Sequence, residues 1–384
     1  MNILVIPSWY PNGLDQLMGI YHKEFCEALA IIKNVTVNML FIERERLNNP
    51  LKFLFMPKHK KINEKNYHIY ITRMLNRERI SYKWQMHRYV KVLNKAFKKY
   101  LKHHPKPDII HAMVTLPAGY AACVLGKKYN IPVVITEHAS YAKTLFEGKN
   151  KPFGLYALNN ARYFTTVSKY MLEEIPNSNT PKDVLPNLVD TNFFKLPHKK
   201  VSGLKLIQVC AFRKGKRIED MLKALKLIVD KKEIKDISLT IVGDGYLKDY
   251  YQNTCHELGL DAYVNFVGRK TKKEIATILN EHNIFVITSD KETFCIPGIE
   301  ALASGMPIVS TKCLGPEEYI DEKNGKLINV GDIEALANAI IEVYKNLDQY
   351  DISYLRATAE RYSPKNITNK ALKIYKEIIK NKEV

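Results

Sequence analysis

The sequence predicts an α/β protein built as two doubly wound, parallel-sheet, Rossmann-like domains that face each other across a cleft. Three observations predict it. Short apolar, β-branched runs alternate with amphipathic stretches through both halves of the chain, the pattern of parallel strands joined by helices. The 384 residues exceed one typical core and suit two. A turn-rich segment, Val184 to Lys195 with a polar stretch on to Gly203, separates the halves.

In the first half, strands are expected over Asn2–Ile6, Val35–Phe41, Tyr67–Thr72, Asp108–His111, Val133–Thr136 and Tyr163–Val167, with helices over Ile20–Ala30 and Ala118–Tyr129. In the second half, Lys205–Cys210, Leu239–Gly243, Val264–Val267, Ile284–Thr288 and Pro307–Ser310 repeat the scheme. Helices are expected over Glu219–Val229, Leu247–Leu258, Lys272–Asn280 and Pro297–Ser304, and a last one over Lys365–Val384. The expected division is residues 1–198 and 203–364, with the terminal helix packing back onto the first domain.

Function is most legible in Ser289 to Thr311, which contains Glu292 and, eight positions on, Glu300. Glu292 follows a predicted buried strand, and Glu300 falls about one turn into the next helix. Ligands of open parallel sheets bind at that edge. A helix start offers free N–H groups and a positive dipole end for a phosphate, while a carboxylate accepts from sugar hydroxyls. The spacing therefore suits one ligand carrying both hydroxyls and phosphate.

Glu292-x7-Glu300 followed by Ala-Leu-Ala-Ser-Gly-Met-Pro-Ile-Val resembles the donor-site signature of the family 4 glycosyltransferases, which have the GT-B fold and usually retain anomeric configuration. The resemblance implies that Glu300 holds the ribose of a nucleoside diphosphate sugar. It places Glu292 beside the transferred hexose and the amides of Phe294, Cys295 and Ile296 on the diphosphate. This chain has Thr293 and Cys295 where the family often has glycine. Pro7-Ser-Trp-Tyr-Pro11 and Gly19 match one branch of the family, which makes Gly19 a second contact to the diphosphate.

By the same resemblance His138, in Thr136-Glu-His-Ala-Ser140, lies next to the transferred sugar, whereas His111 shapes a loop. Phe212 to Asp220 joins strand to helix with four basic residues, an arrangement the helix dipole disfavours unless an anion binds. Lys216 matches a family lysine. The expected arginine aligns with Ala211, so Arg213 is the nearest guanidinium. Gly243 and Gly268 each end a strand, and the resemblance places the nucleotide base near the second of them, around Gly268 and Arg269. The run Pro186-Asn-Leu-Val-Asp190 resembles the segment joining the two lobes, with Leu188 in place of a glycine.

Charge is uneven: residues 1–200 hold 31 basic and 14 acidic residues, the remainder 28 and 26. Between Lys52 and Lys106, 16 basic residues face two acidic ones. A predicted helix over Ile80–Lys102 carries much of this, with an apolar stripe and a lysine-rich face. An anionic membrane surface is the partner this suggests, each basic residue adding about 1 kcal/mol near it. No nucleic-acid-binding motif accompanies the charge. Six scattered cysteines, no apolar span and no basic leader favour a cytoplasmic protein, peripheral on the membrane's inner face. Neither Asp-x-Asp nor a His/Cys ligand cluster occurs, so no metal or other cofactor is expected.

The resulting expectation is a metal-independent hexosyltransferase with a lipid-linked or growing envelope glycan as acceptor, bound by the basic first domain. A GT-B sugar-nucleotide epimerase and a non-enzymatic basic protein binding membrane or nucleic acid are the alternatives.

Overall fold

The structure, a computed structural model, describes residues 1–11, 18–46, 57–76, 81–195 and 201–381. The chain forms two compact units, Met1–Leu188 with Ile367–Val384, and Val189–Asn366. Residues 52–56 and 77–80 of the basic stretch, and 198–200 of the connection, lie outside the described residues.

The first unit is built on β1 (Asn2–Pro7), β2 (Thr36–Arg46), β3 (His59–Asn63), β4 (His68–Asn76), β5 (Ile109–Met113), β6 (Val133–Glu137), β7 (Tyr163–Thr166) and β8 (Lys182–Val184). Their order is β3-β4-β2-β1-β5-β6-β7-β8. Every neighbouring pair is parallel except β3 with β4. Strands covered on both faces read as unbroken apolar runs, and Ile3 to Ile6 are all buried. The edge strand β3, His-Lys-Lys-Ile-Asn, is largely exposed and polar, which keeps an open sheet edge from pairing with other chains. It carries no apolar signal, and its antiparallel pairing departs from the expected all-parallel sheet.

The basic helix spans Tyr82–Tyr100, with Ser81 accepting at its N-cap from the Trp84 N–H at 3.3 Å. Met86, Tyr89, Leu93, Phe97 and Tyr100 form its buried stripe. Lys83, Lys91, Lys95, Lys98 and Lys99 are exposed, as is Trp84, whose indole lies under the Arg88 guanidinium at 5.3 Å. The last helix, Pro364–Lys380, buries Ile367, Ala371, Ile374, Tyr375 and Ile378. Its Tyr375 hydroxyl lies 2.6 Å from His111 Nδ1 in β5, and Lys370 pairs with Asp183 of β8 at 3.0 Å.

The second unit holds β9 (Leu204–Val209), β10 (Ile237–Val242), β11 (Val264–Gly268), β12 (Ile284–Ile287), β13 (Ile308–Thr311) and β14 (Gly325–Ile328). They are all parallel, in the order β11-β10-β9-β12-β13-β14. Leu206, Leu239, Val286, Met221, Leu225 and Ile340 belong to the core that sheet and helices share. In both units strand order reverses about a central pair, β1 with β5 and β9 with β12. Such reversals are the switch points where loops part and ligands enter open α/β sheets.

Candidate functional site

Lys216 follows β9 and Glu292 follows β12, so the switch point of the second sheet brings together two residues 76 positions apart. Lys216 Nζ donates to Glu292 Oε1, and each side chain is only 11% exposed. Ser289 Oγ donates to the same oxygen at 2.6 Å. Thr288 Oγ1 donates to the Lys216 carbonyl at 2.8 Å and itself accepts from Gln208 Nε2 at 2.8 Å. Burial is the largest single influence and works against the Lys216 ammonium, but the charge and hydrogen bond of Glu292, with smaller contributions from Cys295 and Cys210, together outweigh it and raise the lysine's pKa. The lysine therefore stays cationic in buried, low-dielectric surroundings. Neither the pairing nor the Ser289 support was legible in sequence.

The loop after Glu292 is held from both sides. Glu292 N–H donates to Cys313 O at 2.8 Å, Gly315 N–H donates to Glu292 O at 3.1 Å, and Tyr319 Oη donates to Cys295 O at 3.1 Å. The buried Phe294 ring packs edge-on against Tyr362, centroids 5.1 Å apart. The helix Ile296–Ser304 starts one residue earlier than expected, with Cys295 as N-cap in the left-handed region at φ 63°. The amides of Phe294 and Cys295, just before the helix begins, meet no acceptor among the described residues. Glu300 is buried in this helix, on its second turn.

Arg217 at φ 47° and Leu314 at φ 78° flank the same loops, so three side-chain-bearing residues hold a backbone shape that favours glycine. The family's glycine at position 295 thus corresponds to a real conformational demand. Cys295→Gly is expected to keep or raise the melting temperature by relieving about 1 kcal/mol of strain. The β-branched Cys295→Val should lower it, as differential scanning calorimetry would show.

The four basic residues before the helix Ile218–Asp230 do not all await an anion. Arg217 donates from Nε to Asp220 Oδ2 at 2.6 Å and from Nη1 to Asp290 Oδ1 at 3.2 Å. Internal carboxylates thus account for Arg217, to which the dipole argument drawn from the sequence does not extend. Arg213 is exposed in the same turn, and its carbonyl accepts from Tyr251 Oη at 3.3 Å. Gly243, at φ 146°, donates to Gly268 O at 3.0 Å, joining the ends of β10 and β11. A Cβ at Gly243 would collide with the Cys210 carbonyl, whereas Gly268 faces open space beside the exposed Arg269.

In the first unit, Gly19 caps the helix Ile20–Ala30 at φ 70°, and a Cβ there would approach Trp9 Cδ1 at 2.7 Å. His138 follows β6. Its ring stacks on Tyr21 at 4.8 Å and meets the edge of His22 at 4.8 Å. All four ring nitrogens of His22 and His138 are buried without a well-formed hydrogen bond to the described residues. Burial pushes His138 down to about 3, against a smaller pull from Asn187, and holds His22 well below its usual range. His22 and Glu137 were not singled out by sequence reasoning. Glu137 is fully buried and accepts from the N–H groups of Thr115, His138 and Ala139 at 2.8, 2.8 and 2.6 Å, tying the loops after β5 and β6 together. His111 bonds Tyr375 and, at 2.7 Å, Thr136, a structural role at the base of the loop.

These buried imidazoles make acid stability predictable. Burial also pushes His111 down to about 3. A histidine whose pKa is lower folded than unfolded binds its proton first in the unfolded chain. Stability is therefore full above the ordinary value near 6.5 and is lost as pH falls toward 3. Each of His22, His111 and His138 should contribute on the order of 1 kcal/mol per pH unit in that window. Glu137, raised by burial, opposes one of them just above its ordinary range. Both tryptophans, Trp9 and Trp84, lie in the first unit. Urea titrations followed by their fluorescence should show that unit weakening from pH 7 to pH 5.

Comparison with known proteins adds the family. Residues 53–193 match Glycosyltransferase Family 4, and residues 190–358 match Glycosyl transferases group 1. The N-acetyl-alpha-D-glucosaminyl L-malate synthase of Bacillus anthracis is 26% identical over 71% of this chain and 76% of its own. TuaC of Bacillus subtilis, named for teichuronic acid biosynthesis, is 26% identical over 88% of both chains. HepE of Anabaena, solved in complex with UDP, superposes with a TM-score of 0.71 at 17% identity, covering 98% of this chain and 100% of that one. Two adjoining family matches on two parallel-sheet units identify the chain as a family 4-like glycosyltransferase with the GT-B fold.

Proposed function

We propose that the enzyme transfers a hexose from a nucleoside diphosphate sugar to a lipid-linked or growing envelope glycan, with retention of configuration and without metal. The observation that carries this reading is the buried Lys216–Glu292 pair at the switch point, beside a helix start with open amides and a buried Glu300. The ammonium and the amides suit the two phosphates, and Glu300 suits ribose hydroxyls. HepE, of the same fold, was solved with UDP, and TuaC is named for teichuronic acid biosynthesis; both support the reading.

In the proposed reaction the bond from sugar C1 to the diphosphate oxygen breaks as the acceptor oxygen attacks the same face. The acceptor proton passes to the departing phosphate oxygen. Lys216 and the loop amides of Phe294, Cys295 and Ile296 stabilise the charge that develops there, a term that commonly dominates such catalysis. Glu292 orients the lysine and lies on the hexose side, and His138 lies next to the transferred sugar. Gly19, Gly243, Gly268, Arg269 and Arg213 line donor contacts in this reading. The test is product analysis with a panel of nucleoside diphosphate sugars, with and without acceptor. Transfer with an unchanged anomeric centre supports it; an epimerised donor formed without acceptor would replace it.

No helix among the described residues is long and apolar enough to cross a membrane. We infer a cytoplasmic location with peripheral contact through the lysine face and exposed Trp84 of Tyr82–Tyr100. Vesicles containing anionic lipid should retain the protein at low salt and release it at high salt, whereas neutral vesicles should not retain it.

A further inference from the structure

The carboxyl edge of the first sheet carries a second polar and aromatic group. Trp9 follows β1, Arg44 lies near the end of β2, Asn76 ends β4, Pro117 follows β5 and Tyr141 follows β6; together they line a pocket of about 200 Å³. Water occupies ~30 Å³ per molecule, so the pocket has room for one sugar ring rather than for a few waters alone. Its position at five strand ends is where a parallel sheet presents ligand-binding loops.

Three observations say what fits. Arg44 is exposed, and no carboxylate among the described residues pairs with it. Its sequence neighbours Glu43 and Glu45 point to the opposite face of β2, as the two-residue period requires, and both meet Arg73, at 2.7 and 3.6 Å. The Arg44 charge instead acts on the phenols of Tyr82, Tyr89 and Tyr141. Second, Tyr89 lines the pocket with a buried hydroxyl that has no partner among the described residues, a condition folded proteins normally avoid. Third, the walls are aromatic: Trp9 is fixed by donating from Nε1 to Tyr21 Oη at 2.8 Å, and the Tyr141 ring is half exposed. Arg88, the other guanidinium at the rim, is already engaged with the Leu75 carbonyl at 2.7 Å and with the Trp84 ring.

Ring faces, an unsatisfied hydroxyl and a guanidinium with no carboxylate partner among the described residues are the chemistry of a site for an acidic sugar. We propose that this pocket binds the acceptor's sugar and selects one carrying an anionic group, a carboxylate or a phosphate, that pairs with Arg44. Guanidinium grips either group through two parallel hydrogen bonds. The proposal rests on the transfer reading above and names its acceptor class.

The test uses saturation-transfer NMR titrations of methyl glucuronide, methyl glucoside 6-phosphate and neutral methyl glucoside into the intact protein without donor. At least one anionic glycoside should bind about ten-fold more tightly than the neutral one, and which one does so separates carboxylate from phosphate. Arg44→Gln should erase the preference and Arg44→Lys keep part of it, with melting temperature and UDP affinity unchanged in both. Equal binding of neutral and anionic glycosides, or a preference that survives Arg44→Gln, overturns the proposal. Failure of uridine, guanosine and adenosine diphosphates alike to bind would instead overturn the donor assignment, because the glycoside titrations contain no nucleotide.

Discussion

Lys216→Met is expected to lower kcat by about 100- to 1000-fold, the usual cost of removing one preorganised group from a developing charge. The lysine is the buried cation at the β9–β12 switch point, and its own pairing with Glu292 keeps it protonated. Two consequences of the substitution must be separated. With the ammonium gone, Glu292 is left buried beside Ser289 alone, and breaking a buried pair in this way costs about 3–5 kcal/mol of stability. The single variant should therefore melt earlier as well as turn over slowly. Adding Glu292→Gln removes the uncompensated charge, so the double variant should recover most of the melting temperature while kcat stays low. Lys216→Arg keeps the charge but not its placement and should fall between. Normal turnover in Lys216→Met would remove the lysine from the mechanism.

Glu300→Ala is expected to weaken nucleoside diphosphate binding by about 10- to 100-fold, the range for losing a hydrogen bond to a charged group. The carboxylate is buried on the second turn of Ile296–Ser304, just beyond the Phe294 and Cys295 amides that meet no acceptor among the described residues. The effect should appear in the dissociation constant measured by calorimetry. Turnover at saturating donor should change less, because a ribose contact acts alike on bound substrate and transition state. Glu300→Gln keeps the shape and should lie between the two. An unchanged dissociation constant in both variants would assign Glu300 a packing role.

The parts of the fold that were legible in sequence share one property. Strands such as Ile284–Ile287 and Ile3–Ile6 are covered on both faces, so their apolar runs are uninterrupted. The motif after β12 could be placed because a strand and a helix bracket it. Strands β3, β8 and β14 were missed for the opposite reason: β3 is a polar edge, Lys182–Val184 is three half-buried residues, and Gly325–Ile328 is four residues with one buried. The helix Ile333–Lys345 had signals that went unused, an Asp332 N-cap and a stripe of Leu336, Ile340 and Val343.

Within the site, residue types were legible and partners were not. Lys216 and Glu292 each stand out in the sequence, yet their ion pair joins loops after two different strands, and no local pattern encodes that register. Arg217 reads as an anion ligand from its place at a helix start, and only the fold sets Asp220 and Asp290 beside it. His22 reads as one polar residue in the first helix, and only the sheet brings it against His138. Cys295 shows the converse: the departure from glycine is visible in sequence, and the structure supplies its meaning as a left-handed cap.

The most direct test of the central claim is a calorimetric titration of uridine, guanosine and adenosine diphosphates into the intact protein in the presence of EDTA. The account predicts that at least one binds, that chelation does not weaken it, and that Lys216→Met and Glu300→Ala each do. Failure of all three nucleotides to bind, or binding that both substitutions leave untouched, would contradict it.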